Sequence, residues 1–489
     1  MRKTLGSLTK DVAIYGAGDV AVTAVSYLLL PFYLEVLSHA DYGALAMLLV
    51  VETLSKILFR FGLDGAFMRY YLDCETDDQR RQLGGTLCLF LLVASGTLML
   101  LGQAAAGPVA AWLFGDAAPT YVPALRLVLL NIFLLTFTFV PFHVMRMQKA
   151  AVTFSAFTLG RSVSTLLLRV LFVLFLHWGV TGLFVADLIV TVVVLPLLWP
   201  WTQQALGLSF SRDLLRRCLS FGLPRLPHGL AQQALDGGNK LLLNQYVPLD
   251  RMGIYQISGT IGQSVKLFLS AFETGWAPFY YATGRQPDAP EIFRKITTYG
   301  IAVLVLMAAG LTAIADDLVR ILTFKDPWTM DAYAQARIVV PLIAVGLTWQ
   351  GVYLLTSIGL NLTSQTRYYP VATFAAAGVG LGSGALLMPM FGLVGAGTAF
   401  VLSYMTMALV AGHFARRHYP VGYEWMRLAQ IVLAGVVAAA AGLLLPDMAP
   451  WAGLLTRGAT VVAIFAGWLA LNGFLRPTER ALLKRVLRR

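Results

Sequence analysis

The stretch Ser220–Tyr281, SFGLPRLPHGLAQQALDGGNKLLLNQYVPLDRMGIYQISGTIGQSVKLFLSAFETGWAPFYY, decides how the chain is read. It holds two apolar segments joined by a short turn near Pro248–Arg251. Each is long enough to cross a bilayer, since about 20 helical residues cover a hydrocarbon core of roughly 30 Å. Each also carries charge well inside it: Arg225, Asp236 and Lys240 in the first, Lys266 and Glu273 in the second. One such group at mid-bilayer costs roughly 2.5–3.5 kcal/mol on insertion scales. A hairpin with all of them facing lipid would be a poor one, so they are expected to face water or each other inside a helical bundle. Pro224 and Pro227 break the first segment near its start, and Gly237–Gly238 loosen its middle. Broken, charged helices at membrane depth are tolerated where they line a cavity.

The rest of the chain agrees. Hydrophobic residues make up 58% of the 489 positions and charged residues 13%. Mean hydropathy is +0.71, which excludes a soluble protein and predicts a multi-span membrane protein. The net charge of +12 is spread over short loops and the C-terminal tail, so nucleic acid is not an expected partner. Cys74, Cys88 and Cys218 are odd in number and far apart, which suggests neither a disulfide framework nor a metal site. The basic-then-apolar start MRKTLGSLTKDVAIYG has no small-residue cleavage site after it and reads as a retained first helix.

Apolar runs of spanning length lie near 12–34, 43–66, 83–106, 122–142, 155–177 and 181–201. A second series lies near 219–246, 252–280, 297–315, 336–359, 369–389 and 393–413, followed by 427–446 and 453–474. The expectation is an all-α membrane protein with about fourteen transmembrane helices. With the N-terminus inside, the inner loops hold Arg80–Arg81, Arg146 and Lys149, Arg216–Arg217 and Arg416–Arg417, and the tail is basic. The outer loops hold little beyond Arg251, Arg320 and Lys325, which predicts that both termini are cytoplasmic.

The chain also repeats itself. Tyr15–Gly16 is echoed by Phe221–Gly222, DYGAL at Asp41–Leu45 by RMGIY at Arg251–Tyr255, and GVTG at Gly179–Gly182 by GLVG at Gly392–Gly395. Subtraction of these numbers puts every offset between 206 and 213 residues. An even number of helices separates each pair, so the halves share one topology and are related by a pseudo-two-fold axis along the membrane normal. The predicted domains are an N-lobe at 1–215, a C-lobe at 216–425, and two extra helices with a basic tail at 426–489. Each lobe holds six helices, and the turns near Ser38 and Leu249 are expected to face each other across the two.

LLLPFYLEVLSHADYGALAM at Leu28–Met47 and FGLDGAFMRYY at Phe61–Tyr71 resemble the opening hairpin of bacterial polysaccharide flippases. These belong to the multidrug/oligosaccharidyl-lipid/polysaccharide exporter superfamily. GLPRLPHGL, LLLNQY, MGIY and AFETGWAPFYY within 222–281 resemble the same family. That family's seventh helix often carries Asp-Arg where this chain has Asn239-Lys240. The positive charge is kept, the carboxylate is missing there, and Asp236 lies one turn earlier.

The resemblance implies a transporter and not an enzyme. It would move an oligosaccharide on a polyprenyl pyrophosphate from the inner to the outer leaflet of the bacterial cytoplasmic membrane, for O-antigen, capsule or exopolysaccharide assembly. Its implied partners are that lipid-linked oligosaccharide, membrane lipid and polysaccharide polymerase or assembly proteins; it needs no cofactor. A diphosphate-sugar head cannot cross hydrocarbon unaided and needs a hydrated basic chamber. No bond is broken, so no catalytic residue is expected.

For that chamber, Arg225, Lys240 and Lys266 are the candidates to meet the pyrophosphate. The structural alternative pairs Asp236 with Lys240 at i,i+4 and leaves Arg225 at the lipid boundary. In the second segment Glu52, Lys56 and Arg60 recur every four residues, with Asp64 four further on, and predict a polar face toward the cavity. Asp64 with Arg69 reads as a helix-end clamp at the cytoplasmic surface. Arg161, Arg169 and Asp187 lie near enough to segment ends for snorkelling to be the default. Asp19, Asp236 and Glu273 are candidates for coupling to a sodium or proton gradient. The histidines, His143 among them, have no metal-ligand spacing and read as satisfied polar groups. No Walker loop is present, so ATP is not expected to drive the cycle directly.

Other readings fit the same pattern. A multidrug or cation antiporter of the superfamily would want an acidic chamber. A peptidoglycan-precursor flippase is a close chemical neighbour. An integral-membrane glycosyltransferase or polymerase would want a large outer loop, whereas the longest outer stretches, near 106–121 and 316–335, are short.

Overall fold

The computed structural model describes residues 32–148, 150–207, 209–284, 286–323 and 330–474. Asp19 and most of the first predicted span lie outside the described residues, as do the side chains of Arg225 and Asp236.

Described secondary structure is helical, and the helix starts follow from capping chemistry. α1 (His39–Arg60) begins at Ser38, whose hydroxyl accepts from the Asp41 N–H while the Asp41 carboxylate accepts from the Ser38 N–H. Phe61 and Gly62 both take positive φ and turn the chain into α2 (Leu63–Asp73). Thr76 and Gln79 form a second capping box at the head of α3 (Asp77–Ala104), with Asp77 and Asp78 in its first turn. There follow α4 (Ala106–Phe114), α5 (Ala118–Thr136), α6 (Phe139–Met147), α7 (Ala151–Val170) and α8 (Gly179–Leu197). The outer loop expected near 106–121 is therefore mostly helix: AGPVAAWLF is apolar enough to fold back as α4 against α5.

The deciding stretch is broken where its prolines and glycines fall. α9 (Arg212–Gly222) passes through a 3-10 turn at Leu223–Arg225 into α10 (Leu226–Gln233), then a π turn at Ala234–Gly238 and α11 (Asn239–Leu243). α12 (Leu249–Gly262) and α13 (Val265–Thr283) are separated by a break after Gly262. That second break was not expected. A Cβ on Gly262 would press on Ile343 and the Val340 carbonyl, so the close helix contact here requires glycine.

The remaining helices are α14 (Ala289–Leu322), α15 (Met330–Thr356), α16 (Tyr368–His418), α17 (Trp425–Leu443) and α18 (Pro450–Leu471). α16 is two helices joined at Gly392, whose φ of 53° admits the kink. Its repeat partner Gly179 has φ 58°. Ten helical stretches among the described residues are long and apolar enough to cross a membrane. Counting α16 as two, and adding the broken runs α9–α11 and α12–α13, thirteen of the predicted spans have counterparts among the described residues; the first, near 12–34, lies outside them. The described residues make a multi-pass, all-α membrane protein.

By packing, the chain divides into two compact units, Met1–Gly253 and Ile254–Arg489. The predicted lobe boundary at 215/216 falls elsewhere, because it was drawn from sequence echoes and not from packing. In the first unit α5 is the hub, with α1, α3, α4 and α8 against it, while α7 packs chiefly on α8. α9 packs on α2 and α3, and α10 and α11 pack on α1. Leu63, Phe67, Leu83, Leu87, Phe139 and Cys218 form an apolar core at one end.

The turns near Ser38 and Leu249 lie in this same unit and touch. A Cβ on Gly43 would overlap the Leu249 carbonyl, and a Cβ on Gly253 would overlap the His39 carbonyl. Gly43 and Gly253 are 210 residues apart by subtraction, as are His39 and Leu249. The two copies of the repeated motif thus meet each other by the same contact made twice.

In the second unit α14 is the hub for α15, α17 and α18. Helices α17 and α18 are held to α14 by buried polar contacts toward both of its ends. At one end Arg427 Nη1 donates to Glu424 Oε2 at 2.8 Å, Thr298 donates to the same carboxylate at 3.0 Å, and the Arg427 guanidinium lies over Phe474. At the other end Arg457 Nη1 donates to Asp317 Oδ2 at 3.0 Å.

Candidate functional site

The first unit holds a partly open polar cavity of about 720 Å³, within the range of roughly 300–1,000 Å³ usual for ligand sites. Its walls come from α1, α2, α5, α6, α7 and α8. On α7 the polar residues Thr158, Arg161, Ser162, Thr165 and Arg169 recur at three- and four-residue spacing and share one face. α1 supplies Glu52 and Arg60, α2 Asp64, α5 Asn131, α6 His143 and Arg146, and α8 Asp187. Among the lining residues, four arginines meet three carboxylates, an excess of one positive charge.

The arginines are engaged to different degrees. Arg169 Nε and Nη2 donate to the two oxygens of Asp187 at 2.9 and 2.7 Å, a bidentate pair inside the unit. Arg60 Nη1 lies 3.4 Å from Asp64 Oδ2. The Arg146 guanidinium sits 4.7 Å from the centre of the Phe154 ring. Arg161 makes no hydrogen bond or ion pair with a described residue.

Two uncharged groups complete the wall. Asn131 is 97% buried and its Oδ1 has no hydrogen-bond partner among the described residues. His143 is buried, neither of its ring nitrogens has a hydrogen-bond partner there, and Nε2 lies 4.0 Å from Asp64 Oδ1. Polar atoms orphaned in this way are costly, and a hydrated or ligand-filled cavity relieves them.

The structure places the predicted residues unevenly. Glu52 and Arg60 line the cavity, whereas Lys56 is tied to Glu52 by a short ion pair and is not part of the wall. Asp64, read as a helix-end clamp with Arg69, lies in the first turn of α2 and meets Arg60 and His143. Arg161, Arg169 and Asp187, expected to snorkel, line the cavity, where Arg169 and Asp187 pair with each other. His143 is not the satisfied polar group that was expected. Lys240 is half-buried on α11 and Asn239 beside it is fully buried. Lys266 is half-buried and Glu273 exposed on α13, in the other unit. The α7 stripe was the signal available in the sequence, since the polar positions 158, 161, 162, 165 and 169 fall on one helical face.

Broken helices, a polar cavity and a two-lobe helical plan define a transporter-like fold. Residues 36–353 match the model of the polysaccharide biosynthesis protein family, and the chain belongs to that family. Its structure is similar to the lipid II flippase MurJ in an inward closed conformation, with TM-score 0.69 and 13% identity over 94% of this chain and 99% of that one. It is also similar to a multidrug resistance MATE family transporter of the MOP superfamily in its inward-facing conformation, with TM-score 0.68 and 15% identity over 83% of this chain and 94% of that one. A MOP superfamily transporter from Pyrococcus furiosus, described by the reversed polarity of its binding pocket, matches with TM-score 0.53 and 14% identity over 87% and 96% of the two chains. No curated protein sequence matches the chain.

Proposed function

We propose that this protein is a flippase for polyprenyl-diphosphate-linked oligosaccharide. It carries its cargo from the inner to the outer leaflet of the bacterial cytoplasmic membrane by alternating access, with both termini in the cytoplasm. It serves O-antigen, capsule or exopolysaccharide assembly and hands its cargo to polysaccharide polymerase or assembly proteins.

The observation that supports this reading is the arginine excess in the cavity, above all Arg161, which makes no hydrogen bond or ion pair with a described residue. A guanidinium at this depth is costly unless an anion meets it, and its planar fork matches a phosphate. A cationic drug would find the wrong sign. Lys240 and Lys266 are proposed as further positive contacts for the diphosphate, as is Arg225, and Asp19, Asp236 and Glu273 as the carboxylates available for ion coupling.

Mass spectrometry of lipids that co-purify with the protein tests the reading. The wild type should carry a polyprenyl diphosphate glycan. Arg161→Ala should lose most of it, by about tenfold for each 1.4 kcal/mol of contact removed. Lys240→Ala with Lys266→Ala should retain less than wild type at equal expression. Phospholipid alone on the wild type would count against the proposal.

A further inference from the structure

Arg161 belongs to two cavities at once. Besides the polar one, it lines an apolar groove of about 600 Å³ between α7 and α8, walled by Phe157, Gly160, Leu167, Val190, Val193 and Leu197 among others. The two cavities flank α7. Its polar stripe faces one, and the face through Ala156, Gly160, Ser164 and Leu167 faces the other. Arg161 stands on the boundary, three residues along from Thr158 and one from Gly160.

The groove is open to the surroundings, with Leu167 at 63%, Val193 at 53% and Leu197 at 57% exposure. From Ala156 to Leu168 it runs about 18 Å along α7, more than half of a hydrocarbon core. An apolar channel open to lipid, with one arginine in its wall that no described residue hydrogen-bonds or ion-pairs, is the shape of an anionic lipid, tail outside and head within.

We infer that the α7–α8 groove seats the prenyl chain of the cargo while Arg161 holds its diphosphate at the mouth of the polar cavity. This rests on the flippase reading and adds where the tail goes. Depth separates the cargo from bulk phospholipid. Arg161 lies about 15 Å along the helix from Ala151, so a lipid whose phosphate stays at the membrane surface does not reach it. A lipid whose head has entered the cavity does. The tail can then remain in the bilayer as the head passes, and no hydrocarbon needs to enter the polar interior.

Gly160 makes the groove testable without disturbing the fold, because a Cβ built there meets nothing within 4 Å. A phenylalanine at this position fills the groove from its floor. The probe is a polyprenyl diphosphate with a diazirine on its prenyl chain, photo-crosslinked to the full-length protein in nanodiscs. Its labels should map to 156–168 and 189–197, and unlabelled polyprenyl diphosphate should compete them away. Gly160→Phe and Arg161→Ala should each cut labelling of these segments at least about tenfold, with unfolding midpoints unchanged for Gly160→Phe. A diazirine phosphatidylglycerol should label the groove equally in wild type and Arg161→Ala.

Competed labelling confined to other helices would overturn the groove and leave the flippase reading standing. Labelling insensitive to Arg161→Ala would mark the groove as a site for bulk lipid and likewise overturn it. Absence of any competed binding would overturn both.

Discussion

Arg457→Leu should destabilise the protein by about 3–5 kcal/mol, the usual cost of leaving one charge of a buried pair alone. The Arg457 and Asp317 side chains are 7% and 3% exposed, so neither is rescued by water where it stands. Arg457 also spans three helices. While Nη1 holds Asp317 on α14, Nη2 donates to the Pro446 carbonyl at 3.2 Å, just beyond the end of α17. The Asp317 carboxylate in turn lies against Gly453 in the first turn of α18, where a Cβ would overlap it. Removing the guanidinium therefore strands a carboxylate and a helix-end carbonyl together. The unfolding midpoint of detergent-solubilised protein reads the effect. Asp317→Asn combined with Arg457→Leu should recover most of the loss, because the stranded charge is then gone. Equal destabilisation in single and double variants would show that packing around Arg457, and not its charge, holds α17 and α18 in place.

Gly253→Leu should stop transport without preventing membrane insertion, and Gly43→Leu should do the same. Each side chain would overlap a carbonyl of the opposite turn, His39 for Gly253 and Leu249 for Gly43. Both contacts are backbone against backbone, so no flexible side chain can swing aside. Overpacking of this kind costs about 1–3 kcal/mol, which lowers the population of the closed contact about 5- to 150-fold. If the duplicated turns close this face during each cycle, export rates fall by a factor in that range. Gly458→Leu is the control, since its Cβ meets nothing within 4 Å. Normal export by both contact variants would mean that the paired turns take no part in the cycle.

Much of the fold was legible in the sequence. Hydropathy marked the spans, and Pro224, Pro227 and Gly237–Gly238 marked where the deciding stretch would break. The glycines that the sequence pairs at like offsets have like settings: a left-handed turn at Gly179 and Gly392 and a close approach at Gly43 and Gly253 each leave glycine as the residue that fits. The break after Gly262 was missed; the close contact there is with Ile343, some 80 residues away by subtraction, which local sequence does not announce.

The site was legible only in part. A stripe such as Glu52–Asp64 announces a polar face but not which members pair with each other. Lys56 is consumed by Glu52, while Arg60 and Asp64 reach the cavity. Arg161 and Arg169 look alike in sequence, two turns apart near a segment end. Packing against α8 gives Arg169 the carboxylate of Asp187 and leaves Arg161 between two cavities. Periodicity can say that residues share a face. It cannot say what stands opposite.

The claim that the cargo is a lipid-linked oligosaccharide meets its most direct test in proteoliposomes. Purified protein is reconstituted with a radiolabelled polyprenyl diphosphate trisaccharide, and a membrane-impermeant glycosidase is added outside. Protein-free vesicles should release label only from the outer leaflet. Vesicles with wild-type protein should release nearly all of it as the inner pool is turned outward, and Arg161→Ala should return them to the protein-free level. An inner pool that stays protected in the presence of wild-type protein, in vesicles that expel a cationic dye, would contradict the account.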